Sequence, residues 1–216
     1  MTAPAIPPTP LGTQLKAATA AMHRRVERTG FMADLLRGRV GRHRYAELLR
    51  NLQALYAELE GALARHAATP GVAPVVMPEL FRSQAIAADL QTLAGGTALA
   101  GAPLAPATRQ YVERLGELCA ARPRLLVAHA YVRYLGDLNG GQALRRVVAR
   151  SLGLSDGSGT RFYDFGDSAT QQLLVQRFRA GLEAVAGTPG DRQALADEAL
   201  SAFRRHEQLF GELARE

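Results

Sequence analysis

The chain has 216 residues, 47% of them hydrophobic, which is enough to bury one good core and too few to divide comfortably into two. Its 26 basic and 20 acidic side chains leave a formal charge of +6, but the arginines are interleaved with glutamates and aspartates and form no basic tract with stacking aromatics. That pattern argues against nucleic acid and for an acidic small molecule or an acidic protein partner. A single cysteine, Cys119, excludes an internal disulfide framework and reads as a small buried residue in a reducing compartment. No apolar run reaches the roughly 18 residues of a spanning helix, so a soluble, cytoplasmic protein without membrane contact is expected.

The opening "MTAPAIPPTPLG" is rich in proline and lacks the basic and apolar regions of a secretory signal; residues 1–11 read as a flexible arm ahead of one domain over 12–216. From 12 to 29 apolar residues recur at helical spacing, with Leu15, Met22 and Val26 on one stripe. The same segment carries a polar line. His23 falls close to the line of Lys16, the only lysine, and within about 40° of Glu27 one turn later. Such a carboxylate can hold the Nδ1 proton of the ring and leave Nε2 free for a metal, although a lone helical histidine can equally be structural. Residues 41–67 predict a second helix with Leu48, Leu52, Leu55, Leu59 and Leu63 inward. Prolines at 70, 74 and 78 interrupt the pattern, a short helix is expected from Glu79 to Leu93, and "AGGTALAGAPLAP" reads as a loop.

A helix from Pro106 to Ala120 and a longer one from Pro123 to Leu152 follow. The longer one contains "YLGDLNGGQALRR", whose Gly136, Gly140 and Gly141 each cost a helix on the order of 1 kcal/mol relative to alanine. Gly136 and Gly140 are four apart, so they stack on one face and leave a strip of bare backbone about one turn long. A flat, rigid body or a second helix could approach there. Arg133, Asp137, Asn139 and Gln142 around the same helix exclude a membrane dimer. The pair Gly140-Gly141 favours a bend, and Asp137 stands beside the strip, so the segment reads as one wall of a pocket. "GLSDGSGTRFYDFGD" is a loop with aromatics tucked into it, Ser168 reads as the N-cap of a helix to Val185, and Thr188 caps a last helix with Pro189 in its first turn. The fold class is all-α, a bundle without internal repeats. His129 reads as structural, and His43, His66 and His206 have no constellation around them.

The segment "LLVAHAYVRYLGDLNGGQ", residues 125–142, resembles the distal-helix signature of the haem oxygenases almost letter for letter, with Asn139 where serine is common. "LKAATAAMHRRVE" is similar to the proximal helix of that family, and similarity continues through "VAPVVMPEL", "RQYVERLGEL", "SATQQLLVQRFRAGLE" and "AFRRHEQLF", from about Leu15 to Leu213. The resemblance implies a single-domain helical bundle with haem sandwiched between the proximal helix and a kinked, glycine-rich distal helix. It implies that haem is both cofactor and substrate, opened by dioxygen and electrons from an external donor to biliverdin, carbon monoxide and ferrous iron, with cleavage at the α-meso carbon. By position, His23 would ligate the iron and Glu27 would hold its ring. Gly136 and Gly140 would lie against the macrocycle, Asp137 would order distal waters, Lys16 and Arg177 would meet the propionates, and Tyr131 would lie near the ring edge.

Animal relatives carry basic residues where Ala20 and Leu173 stand here, so propionate anchoring rests on fewer charges, and Arg177 also reads as a solvated surface arginine. The implied partners are an acidic redox donor, such as a ferredoxin or a flavoprotein reductase, and, if the reaction serves chromophore supply and not iron release, a photoreceptor that takes up biliverdin. Two alternatives stay open. A non-catalytic haem carrier or sensor needs His23 but not Asp137, although no Cys-Pro haem motif is present. A helical interaction domain needs neither residue.

Overall fold

The computed structural model describes residues 9–94 and 103–215. Most of the arm expected over 1–11, and most of the glycine-rich loop after residue 94, therefore lie outside the described residues. Helices α1 (Leu11–Glu27), α2 (Gly30–Leu36) and α3 (Arg42–Arg65) are followed by α4 (Ser83–Ala94) and α5 (Pro106–Ala121). Helices α6 (Leu126–Ala130) and α7 (Gly136–Leu152) are joined by a π-helical turn at Tyr131–Leu135, and α8 (Ser168–Ala184) and α9 (Pro189–Leu213) complete the chain. No strand occurs among the described residues.

Helix α3 is the spine of the bundle. Its Leu48, Leu52, Leu55, Leu59 and Leu63 are all buried, and it packs against α4 and α5. Helix α9 lies along α1 and also covers α5 and α6; Thr188 caps its start, as its sequence predicts, and Asp191 completes a capping box. The aromatics of the loop before α8 are indeed inside, with Phe162, Tyr163 and Phe165 buried.

Four local features differ from the sequence reading. Helix α2 was not expected: seven residues with only Phe31 and Leu35 buried are too few to establish a period. The helix expected from Glu79 is split into a 3-10 turn at Pro78–Leu80 and α4. The break is held by Arg82, whose buried guanidinium donates to the carbonyls of Glu79, Leu80, Phe81 and Asp164. Glu60 of α3 accepts from the backbone N–H groups of Arg82 and Ser83, so a neighbouring helix supplies the carboxylate that starts α4. At α8 the cap is Asp167 instead of Ser168, accepting from the Thr170 N–H at 2.8 Å. Finally, the irregularity of the distal helix is the π turn ahead of Gly136, and Gly140-Gly141 sit in regular α-helix.

Candidate functional site

On α1 the buried residues Leu11, Leu15, Thr19 and Val26 form the inward stripe. Lys16, His23 and Glu27 lie along its edge and are all exposed. The His23 side chain is 53% exposed and that of Glu27 51%, with Nδ1 of the ring 3.5 Å from Glu27 Oε2. Its other neighbour is Phe203 of α9, edge-on with ring centroids 5.8 Å apart. One nitrogen of the imidazole thus faces a carboxylate and the ring lies against an aromatic edge, an arrangement that suits a metal ligand.

On α7 a Cβ built at Gly136 or at Gly140 would meet nothing within 4 Å. That separates them from glycines whose smallness is a packing requirement. A Cβ at Gly181 would lie 2.1 Å from the Pro74 carbonyl oxygen, and one at Gly141 would touch the Tyr163 ring at 3.4 Å. Among the described residues no second helix occupies the strip, so close helix packing does not account for Gly136 and Gly140. Helix α1 packs on α9, α8 and α2, and α7 on α2 and the Arg161–Tyr163 turn, while no comparable packing joins α1 to α7. Tyr131, in the π turn, lies near Thr19 of α1, one turn before His23. Burial raises the pKa of Tyr131, and Thr19 and the charge of Arg179 oppose that shift.

Asp137 is 8% exposed and points into the protein behind the strip. Its Oδ2 accepts from the Tyr56 hydroxyl, and Oδ1 accepts from Arg133 Nη2 at 2.8 Å. Arg133 Nε donates to the Tyr56 oxygen at 2.8 Å, which closes a triangle of three side chains from α3, the π turn and α7. Burial raises the Asp137 pKa above the ordinary carboxylate value, against the pull of Arg133 and Tyr56. Burial also opposes the charge on Arg133, but Asp137 and Tyr56 outweigh it and raise its pKa. The Tyr56 hydroxyl is pushed well up by burial and stays protonated. Beside this triangle the buried Tyr134 hydroxyl has no partner among the described residues.

The structure therefore brings His23 and Glu27 together on one helix and Gly136, Asp137 and Gly140 together on another, with Tyr131 between. Among the described residues no hydrogen bond or ion pair joins Lys16 or Arg177 to these groups. Lys16 is exposed, and Arg177 Nη1 lies 2.8 Å from Glu79 Oε1 on an exposed part of α8.

The family model described as Heme oxygenase matches residues 9–212. The chain belongs to the haem oxygenase family. Among the relatives of this haem oxygenase, Heme oxygenase 1 of Nostoc sp. is 34% identical over 94% of the chain and 85% of the relative. Heme oxygenase 1 of Homo sapiens is 38% identical over 95% of the chain and 72% of the relative. The crystal structure of heme oxygenase-1 from Synechocystis sp. in complex with heme superposes with a TM-score of 0.88 at 33% identity, covering 95% of this chain and 92% of the other. The heme oxygenase from Leptospira interrogans gives 0.89 at 31% identity, covering 94% and 100%. Sequence reasoning missed the Tyr56 and Arg133 contributions to this family site. Arg133 and Asp137 carry a legible signal, opposite charges one turn apart, whereas nothing in the sequence joins Tyr56 to a residue 81 positions away.

Proposed function

We propose that the chain binds haem between α1 and the glycine strip of α7 and opens it oxidatively to biliverdin, carbon monoxide and ferrous iron. It is an enzyme that degrades haem, acting with dioxygen and an external electron donor. The observation that carries the site assignment is the bare strip of Gly136 and Gly140 with open space above it, backed by a buried carboxylate, on a segment whose Tyr131 lies near Thr19 of the helix bearing the exposed His23. Haem would supply the iron on which dioxygen is activated and the ring that is cut.

The protein's residues set the rest. His23 would hold the iron through Nε2, with its Nδ1 facing Glu27 Oε2 at 3.5 Å. Gly136 and Gly140 let the flat face of the ring reach the helix backbone, which no side chain would permit. Each Asp137 oxygen already accepts one internal hydrogen bond and keeps a second lone pair for a water on the strip side. Because the Tyr56 proton stays on its own oxygen, Asp137 remains an acceptor and orders that water. Tyr131 borders the ring. Lys16 and Arg177 would take the propionates, with Arg177 exchanging Glu79 for the ligand, and such anchoring would favour the α-meso carbon. We assign the donor to the acidic ferredoxin or flavoprotein-reductase class. The enzyme acts in the cytoplasm, where the reaction supplies biliverdin to a photoreceptor or releases iron from haem.

The test is the absorption spectrum of the purified protein mixed with haem, before and after a reductant is added in air, with chromatographic separation of the product. Loss of the haem bands with formation of biliverdin IXα is expected. A stable haem complex after reduction would make the protein a carrier, and a predominant β or δ isomer would remove Lys16 and Arg177 from the propionates.

A further inference from the structure

Of the two residues assigned to the propionates, Arg177 already has a carboxylate partner. Its Nη1 lies 2.8 Å from Glu79 Oε1, with side chains 49% and 47% exposed. Both partners are mounted on fixed backbone. Glu79 stands in the 3-10 turn Pro78–Leu80, where proline restricts the first residue and the buried Arg82 guanidinium holds the Glu79 carbonyl at 2.9 Å. Arg177 stands one turn before Gly181, where α8 is seated so closely on the Ala73–Val75 turn that a Cβ would lie 2.1 Å from the Pro74 carbonyl oxygen. A carboxylate therefore stays within reach of Arg177 whatever else the guanidinium binds. The Glu79 backbone N–H and Arg177 hold that carboxyl below the ordinary glutamate value, so it is ionised at neutral pH.

We propose that Glu79 is a positioning residue for product release, competing with a propionate of the opened tetrapyrrole for the Arg177 guanidinium. The proposal rests on the haem-degrading function above and on Arg177 as a propionate ligand. Haem would be held by His23 as well as by its carboxylates. The iron-free product keeps the carboxylates and loses the hold of His23, so competition for Arg177 governs a larger share of what retains it. A tethered carboxylate competes at a fixed local concentration, independent of anions in solution. No covalent bond or proton changes: the guanidinium exchanges one carboxylate for another.

The fold has little need of the pair. An exposed ion pair adds little to stability, and α8 is already anchored by Leu174, Phe178 and Leu182 in the core and by Glu183, which accepts from the N–H groups of Leu11 and Gly12. The same weakness makes the pair exchangeable. Leu173, one turn before Arg177 and 53% exposed, leaves apolar surface beside the guanidinium, so a carboxylate on a short apolar stem meets both.

The test follows binding and release of biliverdin IXα by absorption, in equilibrium titration and in stopped-flow displacement. The unchanged chain is compared with Glu79→Gln, Arg177→Gln and the protein carrying both, and Glu113→Gln removes the same charge from an exposed position on α5 as a control. Glu79→Gln is expected to hold biliverdin up to about fivefold more tightly, through slower release. Arg177→Gln should hold it more weakly, and adding Glu79→Gln to that variant should change nothing further. Biliverdin dimethyl ester, whose propionates carry no charge, should bind equally to the unchanged chain and to Glu79→Gln. Equal release from those two proteins with biliverdin itself, an equal gain in Glu113→Gln, or a gain that persists with the ester or without Arg177 overturns the role of Glu79. So does undiminished binding by Arg177→Gln, or no biliverdin binding by a chain that binds haem. Failure of the unchanged chain to bind haem overturns the functional reading instead.

Discussion

The two walls of the haem site are built on opposite plans. On α1 the chemistry stands in side chains, exposed and lightly held: His23 has one carboxylate at 3.5 Å and one aromatic edge. On α7 the face toward the site has no side chains at all, and the chemistry lies behind it in a buried triangle of Asp137, Arg133 and Tyr56 joined by three hydrogen bonds. A ligand that completes the coordination of an iron can be positioned by the iron itself. A group that must hold water where no protein atom fixes it needs a frame built in advance, and the low-dielectric interior gives that frame its rigidity.

The largest expected effect breaks the lightly held wall. His23→Ala should fold normally, since the side chain is half exposed, yet lose most haem affinity and all turnover until imidazole is supplied; unchanged haem bands in the variant would remove His23 as the ligand. Asp137→Ala attacks the other wall and should behave in the reverse way. It leaves Arg133 charged, buried and unpaired, so a loss of about 3–5 kcal/mol in denaturant unfolding is expected, together with retained haem uptake and suppressed biliverdin formation. Normal turnover in this variant would show that the distal water does not depend on the carboxylate.

A third measurement asks how much of the frame depends on proton occupancy behind it. His129 is buried and bonds to Tyr111 and Glu198, and His206 is buried beside Tyr111 and Phe210 with neither ring nitrogen partnered among the described residues. Burial lowers the pKa of both rings, for His206 well below 6.5, while in the unfolded chain both take up a proton near pH 6.5. Below that pH the unfolded state binds more protons, so stability falls as the pH falls, by about 1.4 kcal/mol per pH unit for each histidine that stays neutral in the fold. His206→Phe should flatten the decline between pH 6.5 and 5, and an unaltered slope would place the acid sensitivity elsewhere.

The smallest effect is the sharpest on the bare strip. Gly140→Ala adds a methyl group where nothing stands within 4 Å and improves helix propensity, so thermal unfolding should show a gain of about 0.5–1 kcal/mol. Haem binding should weaken in the same protein. A variant both more stable and equally able to bind haem would show that the strip does not touch the ring.

Much of this was legible in the chain itself. Periodicity gave the helices long enough to show it, the Thr188 cap gave the start of α9, and the four-residue spacing of Gly136 and Gly140 gave the strip, because each is a local property fixed by 3.6 residues per turn. His23 and Glu27 were legible for the same reason. What tertiary structure alone decided depends on contacts between distant segments. Arg82 and Glu60 break the helix expected from Glu79, the open space over the glycines exists because α1 and α7 do not pack together, and Tyr56 reaches Asp137 across 81 residues of chain. Arg177 pairs with Glu79 across 98. A sequence records which side chains can share a helix face, since that follows from backbone geometry. Which of them lose water, and which charge each one meets there, is set by how the helices pack, and that decides the chemistry of Asp137.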